Sequence, residues 1–225
     1  MNAPNFIETK NIRSGAEDGR ITYRNGSEEI LEYGITEIAD RAYENNYNIT
    51  GIKLPNSVTS IGEYAFSRCN NIVKIDIPES VTEIKIWAMQ GLGKITEINI
   101  PESVTSLCYG AFSMCSLLKS INIPKGITEI GSFTFSFCKA LPSITLPESI
   151  TKIDSYAFSN CISLTSITLP RGIREIKRFA FKNCDKLTDI YYGGSKADWA
   201  KIKIDKDNPK LTSLFGKAKI HYDCE

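Results

Sequence analysis

The chain has 225 residues, and its 27 basic and 26 acidic residues leave a net charge of +1. This balance argues against a nucleic-acid-binding surface, which would carry a clustered excess of Lys and Arg. Apolar residues make up 42% of the sequence, which is enough to bury a substantial core and argues against disorder. No apolar run approaches the roughly 20 residues of a membrane-spanning helix.

The first residues predict a start without a leader, followed by a hairpin. Residues 1–15, MNAPNFIETKNIRSG, lack the basic-then-apolar order of a secretory signal. We therefore expect either a protein that stays inside the cell or one from which a signal has been removed. Residues 19–34, GRITYRNGSEEILEYG, predict a hairpin with Asn25 and Gly26 as a two-residue turn.

A 23-residue repeat organises the middle of the chain. Prolines mark its frame at a constant spacing of 23 residues: Pro55, Pro78, Pro101, Pro124, Pro147 and Pro170. The frame extends back to Glu32 and stops at Gly193, which gives seven copies over residues 32–192. We number positions within each copy from this proline, so that copy 1 begins at Glu32 and copy 7 at Pro170. A register kept through seven copies predicts a stacked repeat architecture.

Several positions hold side chains of one kind in every copy. Position 21 is always isoleucine, positions 4, 7 and 18 are aliphatic, and position 12 is Phe, Tyr or Met. One such unit cannot bury its own apolar face, so we expect the copies to stack and to bury each position as a column. The Phe column should then matter greatly for folding, because a buried Phe→Ala change costs about 3–5 kcal/mol.

Within one copy the sequence predicts two strands and a helix. In residues 163–170, SLTSITLP, Ile167 and Leu169 alternate with polar residues and indicate the principal strand. Residues 57–62, SVTSIG, predict a second short strand. Residues 63–72, EYAFSRCNNI, place their apolar residues at helical spacing and predict a helix.

The repeat resembles the leucine-rich repeats of the BspA-like type, also called the Treponema pallidum type. The pattern L-x-x-I-x-(I/L)-P-x-(S/G)-(V/I)-T-x-I-x-x-x-A-F-x-x-C is matched at nearly every position by residues 147–169. The segment IYYGGSKADWAKIKID, residues 190–205, is similar to the segment that caps many such proteins. The resemblance implies an α/β fold, a right-handed β-α superhelix of seven repeats over 32–192. An N-terminal cap would then occupy 1–31 and a C-terminal cap 193–225.

The resemblance also implies a function. Members of the family are mostly bacterial and protist proteins, often on the cell surface, and are implicated in adhesion to host or matrix proteins. It therefore implies a non-enzymatic protein-interaction scaffold that is secreted or on the cell surface, with no catalytic residue, cofactor or metal. The alternatives are a purely structural spacer, a fragment of a larger surface protein, and a cytoplasmic location. The oligomeric state and the partner's identity stay open.

Two regions depart from the regular pattern. In copy 3, residues 78–100, Met89 and Leu92 replace the usual Phe and Cys, and glycines at 91 and 93 predict a local irregularity. In the C-terminal tail, Ser195 is predicted to cap a helix over 196–201, with Asp198 at N3 and Trp199 over the last copy. Residues 218–222 predict a final strand.

The candidates for chemistry favour structural roles. Position 15 is cysteine in five copies: Cys69, Cys115, Cys138, Cys161 and Cys184. We predict buried weak donors rather than disulfides, because equivalent side chains in stacked copies are parallel. The absence of a C-x-x-C pair argues against a metal site. Cys108 and Cys224 are the more reactive thiols, and His221, without a partner motif, predicts neither a triad nor a zinc site.

Positions 20 and 22 of the principal strand point away from the predicted core and would line the concave face, the usual binding surface of such solenoids. The predicted binding residues there are Lys53, Lys74, Asp76, Glu97, Asn99, Asn122 and Tyr191. Charges gather in the first three copies, and short hydroxyls and amides fill the next three. Only Tyr191 is aromatic, which argues against a tight interface along the whole strip. The alternative is a solvated sheet face that keeps the protein soluble.

Overall fold

The computed structural model describes residues 19–32, 34–212 and 218–224. The predicted copies form seven stacked coils, which we number 1 to 7, and each coil contributes one principal strand of two to five residues and one short strand of two residues. The principal strands, with those of the two ends, are β1 (Gly19–Tyr23), β2 (Glu28–Leu31), β4 (Ile49–Lys53), β6 (Lys74–Asp76), β8 (Glu97–Ile98), β10 (Ser120–Ile121), β12 (Ser143–Thr145), β14 (Ser166–Leu169), β16 (Asp189–Tyr192) and β18 (Lys219–His221).

The shorter strands form a second row along the solenoid, and two short helices follow coil 7. The second row comprises β3 (Glu37–Ile38), β5 (Ser60–Ile61), β7 (Glu83–Ile84), β9 (Ser106–Leu107), β11 (Glu129–Ile130), β13 (Lys152–Ile153), β15 (Glu175–Ile176) and β17 (Lys203–Ile204). The helices are α1 (Lys196–Trp199) and α2 (Pro209–Thr212).

The coils stack in parallel and in register. Ile144 pairs with Ile167 and Ile167 with Ile190, each pair one repeat apart. The principal sheet is nevertheless interrupted, in the segments β2-β1-β4-β6, β8-β10 and β12-β14-β16-β18. The second row is divided into β3-β5-β7-β9 and β11-β13-β15-β17.

The helix predicted for residues 63–72 is wrong. The segment is a curved run of successive turns, which we call the arc. Some of its N–H groups donate to the next coil, and the others donate to carbonyls within the segment. The N–H groups of Tyr64 and Phe66 donate to carbonyls of the next coil at 3.0 and 2.8 Å, whereas that of Ser67 donates back to the Tyr64 carbonyl at 3.0 Å. An α-helix keeps its bonds within the segment, so it could not join the coils in this way. The solenoid is therefore built of strands and turns, and the predicted α/β superhelix is not confirmed.

The arc requires two left-handed residues in each coil. Positions 10 and 14 have φ between 54° and 71° in all seven coils, although most of these residues are not glycine. Gly91 takes this conformation at position 14 of coil 3, and its N–H donates to the Ser113 carbonyl at 2.7 Å, as its equivalents do elsewhere. The arc of coil 3 is thus regular, and the irregularity predicted there is not found in it.

The columns bury the core as predicted. The five position-12 phenylalanines are at most 1% exposed, and successive rings such as Phe135 and Phe158 stack with centroids 5.4 Å apart. The five position-15 cysteines are equally buried, and each Sγ–H donates to a carbonyl 26 residues earlier at 3.0–3.4 Å. All seven cysteines are free thiols. Burial raises the pKa of Cys69 and Cys115 to about 12.

At the N-terminal end a hairpin packs on coil 1. The strands β1 and β2 are antiparallel, but the Tyr23 N–H donates to the Ser27 carbonyl at 2.9 Å. The loop is therefore three residues long, 24–26, and not the predicted two, with Gly26 at φ 82°. The hydroxyls of Tyr23 and Tyr43 both donate to the Glu29 carboxylate. Residues 1–15, for which the absence of a leader was predicted, lie outside the described residues.

At the C-terminal end the predicted cap elements are present. Ser195 caps α1 in a capping box with Asp198, although this helix ends at Trp199 rather than at residue 201. The Trp199 ring packs edge-on against Tyr192 with centroids 5.3 Å apart, and β18 pairs in parallel with β16. The predicted domain boundaries at 31/32 and 192/193 stay predictions.

Candidate binding surface

The outward positions of the principal strands lie on one surface, which we call the principal face. It carries Lys53 on β4, Lys74 and Asp76 on β6, and Glu97 on β8. These residues alternate with isoleucines that are no more than 7% exposed, so the buried column fixes the direction of the polar side chains. Asn99 follows β8, Asn122 follows β10, and Tyr191 lies on β16. The structure therefore brings the predicted binding residues to one side of the solenoid.

The N-terminal part of the principal face is charged. Lys74 and Asp76 form an ion pair at 3.1 Å, and Arg20 and Glu28 form another at 3.2 Å. Arg20 lies opposite Lys53 in the β1–β4 pairing. Exposed ion pairs contribute little to stability. These charges therefore mainly set the electrostatic potential that a partner would meet.

Asn122 has a structural contact that the sequence did not suggest. Its Oδ1 accepts the Ile100 N–H at 2.7 Å, and its Nδ2 donates to the Ile100 carbonyl at 2.7 Å. The side-chain amide thus pairs with one residue of coil 3 as a neighbouring backbone would. The middle of the principal face is left with small hydroxyl side chains on the strands, namely Ser120, Ser143, Thr145, Ser166 and Thr168.

At the C-terminal end, Tyr191 is part of a cluster with His221 and Asp189. The Tyr191 and His221 rings stack with centroids 4.7 Å apart, and His221 Nε2 lies 2.8 Å from Asp189 Oδ1. The hydrogen bond from His221 holds the pKa of the Asp189 carboxyl below its usual value. In the described residues no group of three His, Cys, Asp or Glu is placed to hold a metal ion. The cluster gives the principal face a polar aromatic end.

Sequence reasoning missed the residues that the terminal strands add to the principal face. Arg20 on β1, the 52% exposed Ile30 on β2, and Lys219 and His221 on β18 extend the face at its two ends. They lie outside the repeat frame, so the frame could not assign them. Alternation of polar residues with buried or half-buried isoleucines in GRITY and KIH is the signal that could have found them.

The second row carries a ladder of ion pairs. Lys152 contacts Glu129 at 2.7 Å and Asp154 at 3.1 Å, and Lys177 contacts Asp154 at 3.3 Å. Burial opposes ionisation of Asp154, but the Ser155 N–H and the two lysines outweigh it and lower its pKa from 3.8 to about 2. These charges largely satisfy one another, which favours a structural role for this face.

An aromatic stripe runs along the arc on the outside of the solenoid, and the sequence analysis did not identify it. Its rings in mutual contact are Trp87, Tyr109, Phe133, Tyr156 and Phe179. Tyr64 holds the equivalent position in coil 2, where the Arg41 guanidinium lies 4.4 Å from its ring centroid. The Phe133 and Tyr156 rings stack with centroids 4.8 Å apart, whereas Trp87 and Tyr109 meet edge-on and Tyr109 remains exposed. The aromatic residue at or beside position 10 of every coil from 2 to 7 was the available signal.

The architecture agrees with a sequence match over most of the chain. The family model described as "BspA type Leucine rich repeat region" matches residues 36–141 and 128–201 in six copies. The chain belongs to this family. The resemblance stated from the repeat pattern is thereby confirmed. A comparison with curated proteins found no match.

Solved structures of other leucine-rich proteins are similar to this solenoid. A leucine rich cell surface protein from Faecalibacterium prausnitzii is 30% identical, with a TM-score of 0.60 over 78% of this chain and 56% of that one. A leucine-rich repeat protein from Eubacterium ventriosum is 26% identical, with a TM-score of 0.57 over 75% of this chain and 45% of that one. A leucine-rich repeat protein from Bacteroides ovatus is 22% identical, with a TM-score of 0.57 over 91% of this chain and 70% of that one.

The chain spans about half the length of the F. prausnitzii and E. ventriosum proteins. Among the residues that the structure describes, no helix is long and apolar enough to cross a membrane.

Proposed function

We propose that this BspA-type repeat protein is a non-enzymatic scaffold that binds a protein partner through its principal face, in adhesion at a cell surface. The observation that carries the proposal is that the outward strand residues of all seven coils lie on one side of the solenoid, although the pairing of the strands beneath them is interrupted between β6 and β8 and between β10 and β12. The terminal strands extend the outward side chains of the repeats, so that one surface crosses all seven coils and both ends. A solenoid typically binds its partners on such an extended surface.

The chemistry of the principal face supports a partner that is itself a protein. Opposite charges at the N-terminal end, around Lys53, Lys74 and Asp76, would select the orientation of a charged partner and speed its association. The stacked pair of Tyr191 and His221 supplies the kind of aromatic contact that often anchors an interface. The F. prausnitzii protein is described as a cell surface protein, which supports a location there. The partner that we propose is a host or matrix protein.

A structural spacer is the second candidate, and the middle of the principal face favours it. From Ser120 to Thr168 the outward strand residues are small and polar. Binding hot spots are enriched in Trp, Tyr and Arg. A face of this kind would remain soluble without binding a partner.

The experiment is a solid-phase binding assay of the purified protein on immobilised fibronectin, laminin and collagen and on intact epithelial cells. The test variant combines Lys53→Ala, Lys74→Ala, Asp76→Ala and Glu97→Ala. Its matched control combines Lys94→Ala, Lys139→Ala, Asp185→Ala and Glu148→Ala, which remove the same charges from exposed positions outside the principal face.

The proposal expects binding to at least one surface, reduced about tenfold or more in the test variant and unchanged in the control. A tenfold loss corresponds to about 1.4 kcal/mol. Equal binding by the two variants would place the site elsewhere, and no binding to any of these surfaces would favour the spacer.

A further inference from the structure

We propose that the boundary between coils 4 and 5 is a hinge, about which the two halves of the solenoid open and close on their sheet sides. One half comprises coils 1–4 and the other coils 5–7. The inference concerns the mechanics of the solenoid, goes beyond the proposed function and does not depend on it.

The first observation is that both rows of strands are interrupted at this boundary. The principal sheet stops at β10 and resumes at β12, and the second row stops at β9 and resumes at β11. The principal sheet is also interrupted between β6 and β8, but there β5 and β7 remain paired. Only between coils 4 and 5 are the two rows open together in the described part of the chain.

The second observation is the loss of backbone hydrogen bonds that recur at other boundaries. The position-5 N–H donates to the carbonyl of the equivalent residue in the preceding coil, at 3.0 Å for Thr105 and 2.8 Å for Thr151. The position-8 N–H likewise donates to the carbonyl of position 7 in the preceding coil, at 3.1 Å for Cys108 and 2.9 Å for Asp154. Over residues 34–212, which the structure describes, Thr128 and Gly131 of coil 5 make neither bond.

The arc, in contrast, is intact across the boundary. The N–H groups of Gly110, Phe112 and Met114 donate to carbonyls of coil 5 at 3.0, 3.1 and 2.7 Å. The arc therefore joins coils 4 and 5, whereas the two rows of strands do not. Beside the rows, the Lys125 N–H donates to the Glu102 carboxylate and the Ala140 N–H donates to the Ser116 carbonyl, each at 3.1 Å. This arrangement defines a hinge line along the arc, because bonded groups hold their distance and unbonded groups are free to change theirs.

The sequence removes two further hydrogen bonds at this boundary. Pro142 occupies position 19 of coil 5. In coils 4 and 6 the residues at this position, Lys119 and Thr165, each donate their N–H to a carbonyl of the preceding coil at 2.8 Å. Proline has no N–H to donate. Gly126 occupies position 3 of coil 5. In coils 4 and 6 this position is Ser103 and Ser149, whose hydroxyls donate to carbonyls of the preceding coil at 2.7 and 2.5 Å. Pro142 and Gly126 each remove one hydrogen bond between coils 4 and 5, which we call the two missing ties.

The core also widens at the boundary. The Phe112 and Phe135 ring centroids are 6.0 Å apart, whereas the pairs Phe135–Phe158 and Phe158–Phe181 are 5.4 and 5.5 Å apart. Ile121 is the only position-21 isoleucine that is half-buried, since the other six are at most 7% exposed. A depression of about 410 Å³ lies on the principal face between β10 and β12, lined by residues that include Ser120, Ile123 and Thr145. Opening of the hinge would enlarge this depression.

The test measures distances by dipolar continuous-wave EPR in frozen solution, with nitroxides on introduced cysteines in a Cys108→Ser, Cys224→Ser background. One pair, Glu97→Cys with Ser166→Cys, spans the boundary by three coil steps. The matched pair, Ser143→Cys with Lys219→Cys, also spans three strand steps, from coil 5 to β18, and does not cross the boundary. Both distances should centre near 14 Å between backbones.

The hinge predicts a broad distance distribution for the spanning pair and a narrow one for the matched pair. It further predicts that Gly126→Ser with Pro142→Thr, which restores both ties, narrows the spanning distribution. Equal widths in the two pairs would overturn the proposal, and so would a spanning width that the restored ties leave unchanged.

Amide hydrogen exchange on the unmodified protein tests the hinge without any substitution. The amides of Thr128 and Gly131 are expected to exchange about 100-fold faster than those of Thr151 and Asp154, their equivalents one coil later. Equal protection at the two boundaries would contradict the hinge. Neither measurement involves a binding partner, so a rigid boundary would leave the proposed function standing.

Discussion

The side-chain oxygen of Asn208 accepts the backbone N–H of Phe181 at 3.3 Å. In the earlier coils the equivalent N–H finds a carbonyl of the next coil, as that of Phe158 does at the Ala180 carbonyl, 2.8 Å away. No further coil follows coil 7 in the structure, and the Asn208 side chain supplies the acceptor that a following coil would have provided. Its Nδ2 also donates to the Lys177 carbonyl at 2.9 Å, and the residue is fully buried.

We expect Asn208→Ala to lower the free energy of unfolding by about 1–3 kcal/mol, because it leaves a buried N–H and a buried carbonyl without their partner. Denaturant unfolding followed by circular dichroism measures this loss. The exposed Asn99→Ala is the matched control and should change stability by less than about 0.5 kcal/mol. Equal effects of the two changes would show that Asn208 does not cap the solenoid.

Gly110 is required for a steric reason as well as a conformational one. A Cβ at this position would lie 2.2 Å from an atom of the Trp87 ring, whereas at Gly91 the nearest atom would be 3.5 Å away. Both glycines have positive φ. Gly91→Ala should therefore cost about 1–2 kcal/mol from the left-handed backbone alone. Gly110→Ala should cost about 1–3 kcal/mol more, because of overpacking against the ring.

The double variant Trp87→Ala with Gly110→Ala separates the two causes. If the ring is responsible, the double variant loses less stability than the sum of the single changes, by about 1–3 kcal/mol in chemical denaturation. Additive losses would mean that the clash is relieved by movement elsewhere.

Asp154 should give the protein an acid-sensitive contribution to stability. Its pKa is lowered from 3.8 to about 2 in the folded protein, where Lys152 and Lys177 contact the carboxylate. The folded state thus favours the ionised form. The stabilisation is complete above a pH of about 4 and is lost as the pH falls from about 4 to about 2.

Asp154→Asn should lower the free energy of unfolding by about 1–2 kcal/mol at pH 7 and by much less near pH 2. Urea unfolding at the two pH values measures the difference. The exposed Asp185→Asn is the control and should show no such pH dependence. A loss that is equal at both pH values would be due to packing rather than to the charge.

The cysteine column should be chemically silent in the folded protein. Cys115, Cys138 and Cys161 are fully buried, and burial raises their thiol pKa values. Cys108 and Cys224 are only partly buried. Thiolates are the reactive form, so titration with Ellman's reagent at pH 8 should detect no more than these two thiols until denaturant is added. Rapid reaction of all seven would show that the coils separate readily.

The sequence by itself determined the stacking of this solenoid. The constant spacing of the prolines and the isoleucine of position 21 required a column in which each coil covers the next, because an isolated unit leaves its apolar face in water. The alternation around Ile167 also fixed which residues face outward. The burial of the cysteines followed from the same stacking, since five copies carry cysteine at one position and equivalent positions share one environment.

Only the tertiary structure decided how the backbone between the columns is bonded. Residues 63–72 have apolar residues at helical spacing, yet the next coil offers a carbonyl to every second N–H of the segment, and these bonds select the arc of turns. The reach of the Asn122 amide to Ile100, the place of Asn208 under Phe181, and the opening between coils 4 and 5 likewise depend on contacts between residues at least 22 positions apart. Local sequence patterns report burial and alternation, but the choice between hydrogen-bond partners is made by the neighbouring coil.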